Sequence, residues 1–174
     1  MQIETSWMLP LPIFEWIEEN IPFGSTILEF GSGEGSKRLS VNYDLYSIEH
    51  NPEWLEFSKS TYIYAPIKLS DKYQGEIGWY DIERIKENLP SKIDLMIIDG
   101  PNGSIGRSGL LDHVDSFSWE FPVIIDDLHR EKEYAFSQHL SEKCNLQCTH
   151  YSKSDEEMSS NRRSFGVFLR KEKV

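Results

Sequence analysis

Residues Thr26–Ser36 read TILEFGSGEGS. The apolar pair Ile27-Leu28 runs into an acid, Glu29, and three glycines follow at alternate positions, Gly31, Gly33 and Gly35. An apolar run that breaks into glycine predicts a buried parallel strand turning sharply into a helix. Glycine has no Cβ, so it takes positive φ and lets a ligand lie against bare backbone. The helix beyond it opens with unpaired N–H groups, and Ser36 is placed to help cap them. The stretch therefore predicts a nucleotide-sized seat at the carboxyl end of a first strand.

Outward from that seat the pattern repeats. An apolar strand over Leu45–Ile48 ends in Glu49, twenty residues after Glu29, which is one strand-helix-strand unit. An acid in that place can accept hydrogen bonds from both hydroxyls of a ribose. The competing reading is a turn at Glu49 and Asn51-Pro52 that caps a helix through Trp54, Leu55 and Phe57. Two more apolar strands end in acids: DLMIIDG (94–100) in Asp99, and FPVIIDD (121–127) in Asp126 and Asp127.

Helices are expected over Leu11–Asn20, Ser36 to about Ser40, Ile82–Asn88 and Arg107 to about Phe117. Another should carry Leu128, Tyr134, Phe136 and Leu140. The first places Ile13, Phe14 and Ile17 on one face, stops at Pro22 and Gly24, and is expected to pack across the sheet edge or lid the seat. Residues 61–69 read as a third strand broken at Pro66, followed by a loop from Ser70 to Tyr80 marked by Gly75 and Gly78. Asp71 in that loop reads as solvated rather than as a ligand contact. NLQCTHYS (145–152) and SFGVFLR (164–170) read as two strands joined by the polar segment SDEEMSSNRR (154–163). The alternation predicts an α/β, single-domain, Rossmann-like doubly wound sheet, mostly parallel with an antiparallel C-terminal strand. Residues 1–174 form one domain in this reading, with 1–25 an N-terminal helical segment and 26–174 the core.

Composition narrows the partners. Eighteen Lys+Arg against 29 Asp+Glu give a net charge of −11, which repels phosphate backbones and disfavours nucleic acid. No apolar run reaches the roughly twenty residues of a membrane span, and the amino terminus lacks a basic start and apolar signal core. A soluble, cytoplasmic protein is expected, with no membrane partner. Cys144 and Cys148 would share one face if both lay in a strand, with His139 and His150 nearby. The spacing is not the two-residue zinc knuckle, so reduced, half-buried cysteines are the preferred reading.

The glycine spacing separates two chemistries. A dinucleotide fingerprint beginning at Gly31 requires glycine at position 36, where this chain has Ser36. The acid-x-G-x-G-x-G spacing from Glu29 to Gly35 instead resembles the first motif of class I S-adenosylmethionine-dependent methyltransferases. In that family the turn faces the amino-acid part of the cofactor and the acid lies close to its ammonium, usually through water. The resemblance implies a cofactor-facing set of Glu29, Gly31, Ser32, Gly33, Gly35, Ser36, Glu49, His50 and Asp99.

Four acids at successive strand ends describe one rim, and that much negative charge needs cations. Asp99 followed 27 residues later by Asp126 and Asp127 resembles the metal-dependent catechol and caffeoyl-CoA O-methyltransferases, although their closing pair is Asp-Asn. That resemblance implies a divalent metal, Mg²⁺, Mn²⁺ or similar, held by Asp99, Asp126 and Asp127. DGPNGSIGR and DDLHREKE are similar to stretches of the glucuronoxylan 4-O-methyltransferase family, which methylates a sugar acid. The expectation is a methyltransferase that modifies an oxygen of a small molecule such as a sugar or sugar acid. Asp99, Asp126 and Asp127 take metal or base roles, His129 is a second base, and Arg107 and Arg130 clamp a substrate carboxylate.

Bland readings stand beside these: Asp126 and Asp127 capping a helix, Arg130 pairing with Glu133 or Tyr134, His129 solvated. Two other functional classes also stay open, a non-catalytic cofactor-binding scaffold and a nicotinamide oxidoreductase. Acceptor specificity is expected from the N-terminal helix, the loops 70–80 and 100–109, or another subunit, a homo-oligomer included.

Overall fold

The structure is a computed structural model that describes residues 9–152 and 164–172. The polar connector expected over 154–163, and residues 1–8 of the N-terminal segment, lie outside the described residues. The glycine stretch forms strand β1, Thr26–Phe30, and helix α2, Glu34–Asn42. Helix α1, Leu11–Asn20, precedes them, and β2, Asp44–Glu49, follows. Next come β3 (Thr61–Tyr64), β4 (Ile67–Leu69), β5 (Gly78–Tyr80) and α3 (Ile82–Asn88). The chain continues through β6 (Leu95–Ile98), β7 (Val123–Ile125), α4 (Glu131–Cys144), β8 (Leu146–Ser152) and β9 (Ser164–Arg170).

Seven strands form one sheet in the order β3-β2-β1-β6-β7-β9-β8. β1 pairs in parallel with both β2 and β6, and only β9 runs against its neighbours. This is the mostly parallel doubly wound sheet, with an antiparallel C-terminal strand, that the alternation of elements predicts. Side chains alternate between two cores. Leu28, Phe30, Ile48, Ile63, Met96 and Ile98 face α3 and α4, while Ile27, Leu45, Leu95, Ile97 and Ile124 face α1 and α2. Because both faces are covered, the strands read as continuous apolar runs. Among the described residues no helix is long and apolar enough to cross a membrane.

Several expectations are corrected. Helix α1 seats Ile13, Phe14 and Ile17 in the core beside Ile27, Leu39 and Leu95, so it covers a sheet face rather than the edge or the seat. The segment 107–117 is not an α-helix but two short 3-10 turns, Ser108–Asp112 and Val114–Ser116, broken at His113 with φ −126 and ψ 18. The loop 70–80 ends in β5, which pairs antiparallel with β4 in a separate two-stranded sheet. Pro66 marks the break between sheets: β3 stays in the main one and β4 leaves it. Cys144 ends α4 and Cys148 lies in β8, so they do not share a strand face.

The strand order reverses between β1 and β6, and there two glycines replace side chains. Gly31 sits at φ +89, and a Cβ on Gly100 would lie 2.8 Å from the Gly31 Cα and 2.7 Å from the Tyr80 hydroxyl. Neither backbone can yield without moving a strand end. Gly100→Ala is expected to destabilise the fold by about 1–3 kcal/mol, the usual cost of overpacking, read as a lower urea midpoint at unchanged slope.

Candidate functional site

Above that reversal lies a cavity of about 340 Å³, within the range of small-molecule sites. The turn Gly31–Gly33 forms one side of it; Glu49, His50, Asn51 and Trp54 come from the end of β2 and beyond. Asp99 to Asn102 follow β6, Asp127 and Arg130 follow β7, and Tyr80 and Arg107 complete the wall. Of the residues expected to face a ligand, Gly31, Ser32, Gly33, Glu49, His50, Asp99, Arg107, Asp127 and Arg130 are here. Glu29, Gly35, Ser36, Asp126 and His129 are not among the lining residues.

Glu49 is 4% exposed, and its carboxylate organises the adjoining backbone. It accepts from the N–H groups of Ser32 (3.0 Å), His50 (2.7 Å) and Asn51 (2.8 Å), and His50 Nδ1 lies 3.0 Å from its Oε1. The turn after β2 exists, but Asn51 caps only a single 3-10 turn at Pro52–Trp54 and not a helix running through Phe57, and Glu49 still faces the cavity.

Glu29 is placed differently because of strand parity. It shares the face of Ile27, so its side chain turns under the glycine loop toward α2 instead of into the cavity. Its Oε1 accepts 2.5 Å hydrogen bonds from the hydroxyls of Ser36 and Ser47. Ser36 Oγ in turn accepts from the N–H of the N-cap residue Gly33, so the serine helps cap α2 as expected and also bolts the loop to a buried acid. Burial pushes the Glu29 carboxyl up to about 7 against the pull of those two serines, and the nearby Glu49 adds to the rise.

Arg107, expected to clamp substrate, is committed elsewhere. It is 2% exposed; Nη1 donates to the carbonyls of Asp126 (2.9 Å) and Ile98 (3.4 Å), and Nη2 to the Asp99 carbonyl (2.9 Å). Nη2 also reaches Asp127 Oδ2 at 3.2 Å and Asp99 Oδ1 at 3.5 Å. That leaves Arg130, whose side chain is 47% exposed at the cavity wall and pairs with Asp127 Oδ2 at 2.9 Å. It pairs with neither Glu133 nor Tyr134 through its side chain, contrary to the bland reading.

Asp126 and Asp127 do not cap α4, whose N-cap is Arg130 with no side-chain bond. Asp127 has φ +63, a left-handed backbone that a non-glycine residue holds only when its surroundings enforce it. His129 is near Asp127 only loosely, its Nε2 3.9 Å from Oδ1. One oxygen each from Asp99, Asp126 and Asp127 lies within 4.8 Å of the others, so the acids converge as expected. The guanidinium of Arg107, however, already bridges two of the three carboxylates. A hard cation wants six or more oxygens, and this donor set fits one poorly. Among the described residues no such cluster includes Cys144, Cys148, His139 or His150, and burial pushes the Cys144 thiol up to about 11, away from the thiolate a metal needs. Asp71 is exposed and away from the cavity. Trp54, Tyr80 and Asn102 were not marked as site residues by the sequence. Tyr80 arrives from β5, a strand read as loop.

No family model matches the chain, and neither does any curated protein. Solved structures do. The O-methyltransferase from Bacillus cereus, in complex with SAH, aligns with 94% of this chain and 82% of its own at TM-score 0.61 and 10% identity. A precorrin-8w decarboxylase from Methanobacterium thermoautotrophicum aligns over 97% and 96% at TM-score 0.60 and 14% identity. A methyltransferase from Pyrococcus furiosus aligns over 98% and 88% at 0.56 and 16%. The likeness is one of fold.

Glu29 yields a prediction with a definite sign. Its carboxyl is raised from 4.5 to about 7 in the folded chain, so folding takes up a proton between those values. Its contribution is therefore fully present below about pH 4.5 and lost as pH rises through about 7, on the order of 3 kcal/mol in all. Relative to wild type, Glu29→Gln should gain stability as pH rises from 5 to 8 in urea titrations. Parallel stability curves for the two proteins would show that Glu29 is ionised throughout.

Proposed function

We propose that the chain is an S-adenosylmethionine-dependent methyltransferase that modifies an oxygen of a small molecule, a sugar or sugar acid being the acceptor class. The observation that carries this is the cavity at the strand reversal, walled by bare glycine backbone on one side and by the Glu49 carboxylate at the end of β2 on the other. Glu49 is placed to take the ribose hydroxyls, and Trp54 offers an aromatic face to the adenine. The fold shared with an O-methyltransferase bound to SAH supports the same reading. A nicotinamide cofactor fits less well, because position 36 holds a serine whose hydroxyl is tied to Glu29.

Methyl transfer needs the acceptor oxygen in line with the sulfonium methyl, so positioning carries much of the work. Asp99, at the cavity wall with a side chain 31% exposed, is the carboxylate placed to take the acceptor's proton. Arg130 at the same wall is the group to pair with a carboxylate on the acceptor, while Arg107 and Asp127 hold the surrounding backbone. This reading routes no step through a metal, since two guanidinium groups already offset the acids.

Calorimetry with S-adenosylmethionine, SAH and NAD tests the cofactor. The first two should bind, and Trp54→Ala should weaken both by about 1–3 kcal/mol through lost stacking. Binding of NAD alone would overturn the reading in favour of an oxidoreductase. Binding of SAH with no methyl transfer to any sugar or phenolic acceptor would favour a scaffold.

Chelation separates the metal question. SAH affinity and transfer rate should be the same in excess EDTA as in Mg²⁺ or Mn²⁺. A loss of activity restored by either ion would place a metal among Asp99, Asp126 and Asp127 after all.

A further inference from the structure

Tyr80 ends β5 and stands in the cavity wall at 1% exposure. Among the described residues its hydroxyl has no hydrogen-bond partner. A buried hydroxyl without one is destabilising, and each such group in a folded protein calls for an explanation. The ring cannot swing to find one easily, because Phe30, Trp79 and His50 pack around it with centroids 5.8, 5.0 and 5.8 Å away. Its hydroxyl ends against the glycine crossing, 2.7 Å from where a Cβ on Gly100 would stand. The partner it lacks is one that a ligand seated on that crossing supplies.

The charges around it say which kind of ligand group. Burial holds the phenol well above its usual range, and Glu49, Asp99 and Glu29 act in the same direction, opposed only by Arg107. Arg107 already serves Asp99, Asp127 and main-chain carbonyls. The spot is therefore a neutral oxygen in a negative field, which favours a cationic donor. S-adenosylmethionine carries two positive centres. Its sulfonium has no hydrogen to donate, whereas its ammonium has three.

We propose that the phenolic oxygen of Tyr80 accepts a hydrogen bond from the ammonium group of the bound cofactor and anchors its amino-acid end on the Gly31–Gly100 crossing. This rests on the methyltransferase reading above. A bond between a neutral oxygen and a charged donor is stronger than one between neutral groups, and its loss typically weakens binding about ten- to a hundredfold.

The test is calorimetry of wild type and Tyr80→Phe with two probes, SAH and its deamino analogue, in which hydrogen replaces the α-amino group. Tyr80→Phe should weaken SAH about tenfold or more and leave the analogue within about twofold, and wild type should lose a similar factor on going from SAH to the analogue. Thermal unfolding of the unliganded variant should be unchanged or slightly raised, since the substitution removes an unpaired buried hydroxyl. Equal loss on both probes, no loss on either, or a lowered melting temperature would overturn the role of Tyr80 while leaving the cofactor reading intact. Failure of wild type to bind SAH at all would overturn the cofactor reading and this proposal with it.

Discussion

The buried guanidinium of Arg107 is the tie on which the site depends. It draws together the main-chain carbonyls of Ile98 and Asp99 after β6 and of Asp126 after β7, and it touches the carboxylates of Asp99 and Asp127. Parallel strands leave unpaired carbonyls at their carboxyl ends, and three acids converge beside these. A planar, permanently charged donor set answers both needs at once. Stripped of water, a guanidinium is tolerable only with such partners, so the arginine and the acids stabilise one another. The strained backbone of Asp127 is held in place by the same contacts together with Arg130.

Around that tie the chain builds a cavity whose walls have separate origins. Glycine backbone comes from the ends of β1 and β6, where the strand order reverses and connections diverge to opposite faces. The acidic wall comes from β2, shaped because Glu49 accepts three backbone N–H groups and so fixes the path of residues 49–51. The aromatic wall comes from β5, which belongs to a different sheet and is carried in by a connection after Pro66. The glutamate of the glycine stretch supports the floor from below. Through Ser36 and Ser47 it links β1, α2 and β2 beneath the loop.

Much of this architecture was legible in the chain itself. Every strand of the main sheet lies within a stretch whose apolar run announced it, and α1 and α3 have the predicted bounds. Of the acids at strand ends, Glu49, Asp99 and Asp127 line the cavity, whereas Glu29 and Asp126 do not. The residues misread are those whose state depends on distant partners. Residues 107–117 carry enough apolar side chains for a helix, yet the first of them is pinned by strand ends and the segment tightens into 3-10 turns. Trp79 and Tyr80 look like part of a polar loop until β4 gives them a strand to pair with.

The sequence by itself determined the order of elements, the glycine turn and the position of each acid along its strand, because pleat and turn preferences are local. Tertiary structure alone decided which acids face the cavity, which arginine stays half exposed at its wall and which aromatic hydroxyl, among the described residues, lacks a partner. Those outcomes depend on how segments remote in the chain divide a limited set of hydrogen-bond acceptors and charges in a space closed to water. Arg107 and Arg130 both read as candidate clamps, with Arg107, in its Gly-rich loop, the better one. Only packing sends one into the gap between β6 and β7 and leaves the other at the cavity wall.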